Sequence, residues 1–180
     1  MRIRTIEAAT VTRGSTWTPG WLAAATRTGH RPGLMVLRVV LALVVFPHGA
    51  QHALGWFGGY GFGGTLSWMT GSLGFPIPLA AVAILVELAA PVALLLGAGG
   101  RLAALGIAGI MVGAIGVHAS SGFFMNWFGQ LPLASEGFEY HLLVLGMTAA
   151  VMVDGSGAYS VDRRIWTRRS RVDPHGGRMA

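Results

Sequence analysis

Three long apolar segments in the middle of the chain constrain its fold more than any other feature. They run over residues 33–54, 77–98 and 102–119. An α-helix rises about 1.5 Å per residue, so each segment approaches or exceeds the roughly 30 Å hydrocarbon core of a bilayer. Charged residues make up only 11% of the chain, against about 25% in soluble domains, so lipid suits these segments better than water. The sequence therefore predicts an all-α integral membrane protein.

A fourth apolar segment is weaker than the other three. Residues 140–153 alone are shorter than the minimum of about 17 residues for a transmembrane helix. The helix spans a bilayer only if it begins near Ser135, with Glu136 and Glu139 in its first turn. Serine is a favourable N-cap, and carboxylates are favourable at a helix N-terminus. We therefore expect the fourth span over residues 135–153.

The arginines predict how these four helices are oriented. All 13 basic residues are arginine, and only Arg38 and Arg101 lie outside the two tails. The connections over residues 55–76 and 120–134 contain neither Lys nor Arg. Because positive loops stay in the cytoplasm, an even number of spans puts every basic cluster on one side. We expect an up-and-down four-helix transmembrane bundle in a bacterial inner membrane, with both termini cytoplasmic.

This reading divides the chain into a basic N-terminal extension (residues 1–32), a membrane domain (33–154) and a basic tail (155–180). Basic tails that flank an apolar middle indicate membrane topology and contact with a lipid surface rather than nucleic-acid binding. The sequence has no cysteine, which excludes disulfides and thiolate ligands or nucleophiles. In the third segment, Gly109 and Gly113 form a small-xxx-small pair that predicts helix packing inside the monomer, with a homodimer seam as the alternative.

Polar side chains within the apolar segments mark the candidate site, because lipid penalises them. At 100° per residue, Arg38, His48 and His52 share one face of the first helix. Glu87 lies near the middle of the second segment, where a carboxylate must find a partner. Arg38 is the basic residue within the membrane segments at a similar depth, so an Arg38–Glu87 pair is the predicted contact.

The remaining candidates collect with His48 and His52 at the other end of the helices. His118 closes the third segment, and Glu139 and His141 open the fourth. Histidines in this arrangement can ligate a metal or haem, hold a quinone carbonyl and pass protons, or form a structural cluster. No fixed ligand motif such as HExxH is present, so a metal or haem is less favoured than the other two alternatives.

Short motifs follow one another in a fixed order across residues 33–163. They are Leu37-Arg38, Phe46-Pro47-His48-Gly49, His52, Glu87-Leu88-Ala89-Ala90-Pro91, Gly97, Phe123-Phe124-Met125-Asn126, Glu136-Gly137-Phe138-Glu139-Tyr140, Asp154-Gly155 and Tyr159-Ser160-Val161-Asp162. In this order and spacing they resemble the DoxX family, whose members are small four-helix bacterial membrane proteins.

The resemblance implies a function in redox chemistry. Related DoxD-type proteins are linked to quinone reduction during the oxidation of sulfur compounds, and the positions carried over are Arg38, His48, Glu87 and Glu139. We expect a quinone-interacting or oxidoreductase-associated membrane subunit. The catalytic candidates are Arg38, Glu87 and Glu139, and the ligand-binding candidates are His48, His52, His118 and His141. The alternative is a non-catalytic anchor for soluble redox or sulfur-transfer proteins that contact the arginine-rich tails.

Overall fold

The protein is mainly helical over the residues that the computed structural model describes, which are 20–127, 129 and 136–172. These residues form seven α-helices and no β-strand, which confirms the predicted all-α class but not the predicted number of four helices. In chain order the helices are α1 (Gly20–Thr26), α2 (Pro32–Leu54), α3 (Gly61–Gly71), α4 (Ile77–Leu96), α5 (Gly100–His118), α6 (Glu139–Asp154) and α7 (Val161–Val172). The outer parts of both predicted tails lie outside the described residues.

Three helical stretches are long and apolar enough to cross a bilayer. They are α2, α4 and the stretch Gly100–Ser121, which consists of α5 and a short 3₁₀ turn. All three coincide with the predicted spans to within two residues at each end. Large apolar side chains such as Leu43, Leu85 and Val112 are exposed on their outer faces. Such faces are suited to contact with lipid, so the helices are those of a membrane protein.

The fourth apolar helix, α6, begins later than the sequence predicts. Residues 136–138 are not helical, so α6 starts at Glu139 and not near Ser135, which itself lies outside the described residues. Glu136 is engaged elsewhere, because its Oε2 accepts a hydrogen bond from the backbone N–H of Asn126 at 2.8 Å. The resulting 16-residue helix is about 24 Å long, which is shorter than a typical hydrocarbon core.

Four helices enclose a common apolar core. Helix α2 contacts α4 and α6, and α5 contacts the same two helices, while α3 packs across α2 and α4. We call one end of this arrangement the histidine end, where His52, His118 and His141 lie, and the other the arginine end, where Arg38 and Arg101 lie. The buried core includes Leu41, Val45, Leu94, Ala104, Ile107, Met111, Val144 and Val151.

A close approach between α2 and α4 sets the geometry beside the histidine end. A Cβ atom on Gly49 would collide with the backbone oxygen of Glu87. Pro91 lies one turn beyond Glu87 and has no N–H, so this oxygen has no donor within its own helix. Glycine at position 49 therefore lets the two backbones meet and brings His52, almost one turn further along α2, beside Glu87.

The glycines of α5 differ from the packing prediction. Gly106 does pack against α4, since a Cβ atom there would press on Val86. At Gly109, Gly113 and Gly116, by contrast, no other atom lies within 4 Å of the position that a Cβ would occupy. Within the described residues, the Gly109–Gly113 pair therefore does not form the predicted close helix contact inside the monomer.

Candidate functional site

A cavity of about 660 Å³ opens among the helices at the histidine end. This volume falls within the range of roughly 300–1,000 Å³ that is common for small-molecule sites. Its walls come from α2, α3, α4, α5 and the start of α6, and they are mainly apolar. Apolar residues on the walls include Val45, Met69, Leu79, Val82, Ile110 and Met111.

A hydrogen-bonded histidine and glutamate form the polar wall of this cavity. Nδ1 of His52 lies 2.6 Å from Oε2 of Glu87. An ionised carboxylate only accepts hydrogen bonds, so Nδ1 of His52 then carries the proton and Nε2 is the free ring nitrogen. Glu87 is buried, whereas His52 is only half-buried, and both residues line the cavity. The pair provides the partner that a carboxylate inside an apolar protein requires.

Arg38 does not reach Glu87, and the predicted pair between them is not formed. Its Nη1 donates to the carbonyl oxygens of Leu94 and Leu95 at 2.5 and 2.7 Å. Its Nη2 donates to two carbonyl oxygens of the loop that follows α6. Side chains on a helix lean toward the helix N-terminus, so Arg38 extends toward the arginine end and away from Glu87. There its positive charge complements the C-terminus of α4.

A carboxylate that was not among the predicted site residues completes the arginine end. Asp162 is buried and accepts hydrogen bonds from the backbone N–H groups of Gly99 and Gly100 at 2.9 and 3.1 Å. The hydroxyl of Ser156 donates to the same carboxylate at 2.6 Å. Gly99 and Gly100 are the N-cap and first residue of α5, where negative charge is favoured. Arg38 and Asp162 therefore hold the α4–α5 turn from its two sides.

Two further histidines and a tyrosine meet across the cavity from the His52–Glu87 pair. The rings of His118 and His141 lie 5.0 Å apart, and the ring of Tyr140 lies 5.6 Å from that of His141. Nδ1 of His118 donates to the carbonyl of Ala114 at 2.9 Å, so Nε2 of the neutral ring is an acceptor. His48 is exposed and lies at the edge of the cavity, with its ring 6.3 Å from that of Tyr140.

Several buried polar atoms of the cavity residues have no hydrogen-bond partner in the described part of the chain. They are Oγ1 of Thr65, the hydroxyl of Tyr140 and Nδ1 of His141. Thr65 is only 2% exposed. An unsatisfied buried group costs about 1–3 kcal/mol, so proteins seldom retain one without a reason. A polar ligand in the cavity would supply the missing partners.

Glu139 lies outside the cavity wall and has a different set of contacts. Its Oε1 accepts hydrogen bonds from the backbone N–H of Met125 at 3.2 Å and from the indole N–H of Trp127 at 2.6 Å. Together with Glu136, it holds the loop between α5 and α6 over the histidine end. The cavity thus brings together five of the seven predicted site residues, and it leaves out Arg38 and Glu139.

The sequence interpretation missed Thr65 and Tyr140. Thr65, Trp68 and Met69 all line the cavity and follow the i, i+3, i+4 spacing of one helix face. Treating the connection between the first two spans as an amphipathic helix would therefore have identified Thr65. Tyr140 was overlooked because it lies between Glu139 and His141, which were both selected as ionisable candidates.

Among the described residues there is no three-ligand group for a metal ion, and the His118–His141 pair lacks the geometry of paired haem ligands. No group of three His, Asp or Glu side chains among them is close enough to hold a metal ion. The rings of His118 and His141 lie side by side with an angle of 34° between their planes. Paired axial ligands face each other across a haem, so this geometry does not match that use.

The fold and the cavity define a helical membrane protein with a ligand-sized site at one end. The sequence profile of the DoxX family matches residues 33–127, which is more than half of the chain. The protein belongs to the DoxX family. The match spans α2 to α5 and therefore includes most of the cavity wall. No curated protein and no solved structure matches the chain.

Proposed function

We propose that the protein binds a lipid-soluble quinone at the histidine end, as a quinone-interacting subunit of a membrane oxidoreductase system. The observation that carries this proposal is the combination of apolar walls with hydroxyl groups that lack partners, on Thr65 and Tyr140. A quinone ring is flat and apolar and bears two carbonyl acceptors. Its faces suit the walls, and its carbonyl oxygens can accept the O–H bonds that the protein leaves unused.

Each polar group of the cavity has a defined part in this proposal. Tyr140 and Thr65 donate to the carbonyl oxygens and fix the orientation of the ring. A bound quinone supplies the chemistry of accepting electrons together with protons. His52 holds a proton on Nε2 while the carboxylate of Glu87 balances the positive charge from Nδ1. His118 and His141 close the far side of the cavity and offer ring nitrogens to the same head group.

We further propose that α2, α4, α5 and α6 form a four-helix transmembrane bundle with cytoplasmic termini in a bacterial inner membrane. The described arginines support this orientation, since they lie at the arginine end, in the connection between α1 and α2, and on α7. The chain is cysteine-free, so single cysteines at Tyr60 and Arg164 can test it. A membrane-impermeant maleimide should label Y60C in intact cells and R164C only after permeabilisation. The reverse pattern would overturn this topology.

The ring-binding proposal is tested by the affinity of the detergent-purified protein for a short-chain quinone. Tyr140→Phe removes one hydroxyl and should weaken binding about 5- to 10-fold, the usual value of one neutral hydrogen bond. Tyr60→Phe is the matched control, because Tyr60 is 82% exposed and does not line the cavity. Unchanged affinity in Tyr140→Phe, or an equal loss in both variants, would contradict the proposed site.

A non-catalytic anchor function is the second candidate, and the surface of α7 favours it. Arg164 and Arg168 are exposed on this helix, beside the arginine end. An acidic surface on a soluble redox or sulfur-transfer protein would complement these charges. The same binding experiment separates the two functions, because an anchor has no need to bind quinone.

A further inference from the structure

The cavity at the histidine end is longer than a single ring requires. Along α5 its wall extends from Leu105 to His118, a distance of about 20 Å at 1.5 Å per residue. The hydroxyls of Thr65 and Tyr140 lie toward the histidine end of this length. Leu105 and Gly106 lie toward the arginine end, where Gly106 meets Val86, the residue before Glu87. A ring held by these two hydroxyls would therefore leave an apolar extension of the cavity unfilled.

Two glycines of α5 create this extension. Gly109 and Gly113 are exposed, line the cavity and have no atom within 4 Å of the position of a Cβ. The facing wall is one side of α4, where Leu79, Val82 and Val86 recur at helical spacing. The absence of side chains on α5 thus leaves an apolar groove between the two helices, and we call it the α4–α5 groove.

An independent observation fixes which end of the cavity takes a polar group. Thr65 is 2% exposed, lines the same cavity, and its hydroxyl has no partner in the described part of the chain. Thr65 lies on α3, which packs at the histidine end, and it shares the cavity with Tyr140. A ligand that satisfies Thr65 with its head would direct any tail along the glycines, toward the arginine end.

We propose that the α4–α5 groove binds the hydrocarbon tail of the ligand, so that the substrate class is a quinone with a long isoprenoid chain. This inference rests on the proposed quinone function. It adds a binding site for the hydrocarbon tail, the part of the quinone that contributes affinity through apolar contact. The tail lies over Gly109 and Gly113 and leaves the protein between α4 and α5, directly into the lipid. Continuity of the groove with the polar cavity favours a ligand tail over a helix of a second copy.

The test compares two probes, a quinone ring without a tail and the same ring with several isoprenoid units, in equilibrium binding to the full-length protein in detergent. Gly113→Leu places a side chain in the groove, and its Cβ would have no atom of a neighbouring helix within 4 Å. Affinity for the tailed quinone should fall about 10-fold or more, while affinity for the bare ring stays within about 2-fold. Gly109→Leu should give the same pattern.

Gly116→Leu is the matched control. Gly116 lies on the same helix and also has open space around it, but it does not line the cavity. This variant should bind both probes as the unchanged protein does. A loss that is equal for both probes in Gly113→Leu, or no loss for either, would overturn the tail groove while the ring site remains.

Two other outcomes would also contradict the proposal that the α4–α5 groove binds a hydrocarbon tail. If the unchanged protein binds neither probe, the proposed function itself fails, and Tyr140→Phe would show no effect either. If Gly113→Leu converts a dimer into a monomer in light-scattering measurements and Gly116→Leu does not, a second copy covers the glycine face. In that case the groove is an interface between copies of this chain.

Discussion

The two ends of the helical domain treat buried polar groups in opposite ways. At the arginine end, Arg38 and Asp162 are almost fully buried, and each makes several hydrogen bonds to backbone groups. At the histidine end, the hydroxyls of Thr65 and Tyr140 are also buried, yet they lack partners among the described residues. Burial is therefore common to both ends. At the arginine end the chain satisfies most of the buried groups, with Nε of Arg38 the exception among the described residues, whereas at the histidine end two hydroxyls have no partner. This contrast supports the proposal that the histidine end receives a ligand.

Charge placement shows how the arginine end satisfies its buried helix termini. The C-terminus of a helix carries partial negative charge and the N-terminus partial positive charge. Arg38 lies at the C-terminus of α4, and Asp162 lies at the N-terminus of α5. Each charge therefore neutralises helix-end groups that the α4–α5 turn would otherwise leave unsatisfied. Arg101 acts similarly, since it donates to the carbonyls of Met152 and Val153 at the end of α6.

The largest expected effect comes from breaking the complete end. Asp162→Ala removes the acceptor of two backbone N–H groups and one hydroxyl, all in a buried setting. We expect the free energy of unfolding in detergent to fall by about 3 kcal/mol, because several buried donors lose their partner at once. Denaturant or thermal unfolding of the purified variant measures this change.

Asp154→Ala is the control for that experiment. Asp154 pairs with Arg31 at 2.5 Å, but the two side chains are 36% and 60% exposed. Solvent screening limits such pairs to about 1 kcal/mol or less. If Asp154→Ala destabilises the protein as much as Asp162→Ala, the arginine end is not held by its buried hydrogen bonds.

A smaller effect sharpens the comparison at the histidine end. Thr65→Val removes a hydroxyl that has no partner in the described residues, so the stability of the ligand-free protein should rise by up to about 1 kcal/mol. Thr148→Val is the matched variant, because Thr148 is equally buried but donates to the carbonyl of Leu145 at 2.9 Å. That variant should lose about 1 kcal/mol. The same unfolding experiment measures both.

The decisive result is whether Thr65→Val and Thr148→Val each raise or lower the free energy of unfolding. A clear loss of stability in Thr65→Val would mean that the hydroxyl already has a partner in the ligand-free protein. Equal losses in both threonine variants would remove the distinction between the two ends. Added quinone should stabilise the unchanged protein more than Thr65→Val, since only a protein with Thr65 can donate this hydrogen bond to a bound carbonyl.

The positions of the first three spans and the meeting of the histidines were predictable from the sequence. Apolar length sets where a membrane helix begins and ends, and alternation of direction then sets which residues share an end. For this reason His52, His118 and His141 do lie on one cavity.

The partners of these residues were less predictable, because they depend on side-chain direction and on contacts distant in sequence. The similar depth of Arg38 and Glu87 in the membrane predicted a contact between them, but the side chain of Arg38 extends toward the arginine end. Asp162 belonged to a segment read as part of a polar tail, and no local pattern shows that it caps α5. Gly109 and Gly113 matched a packing motif, although spacing cannot distinguish a helix contact from an open groove.

The contact between Arg38 and the loop after α6 has a consequence for biogenesis. The two residues are far apart in sequence, since Arg38 donates to the carbonyl of Ala158, which lies 120 positions later in the chain. Asp162, which completes the same turn, is made later still. The α4–α5 hairpin is therefore synthesised before two of the carbonyl acceptors of Arg38 and before the carboxylate that caps α5. These buried contacts can form only after the segment that follows α6 has been made.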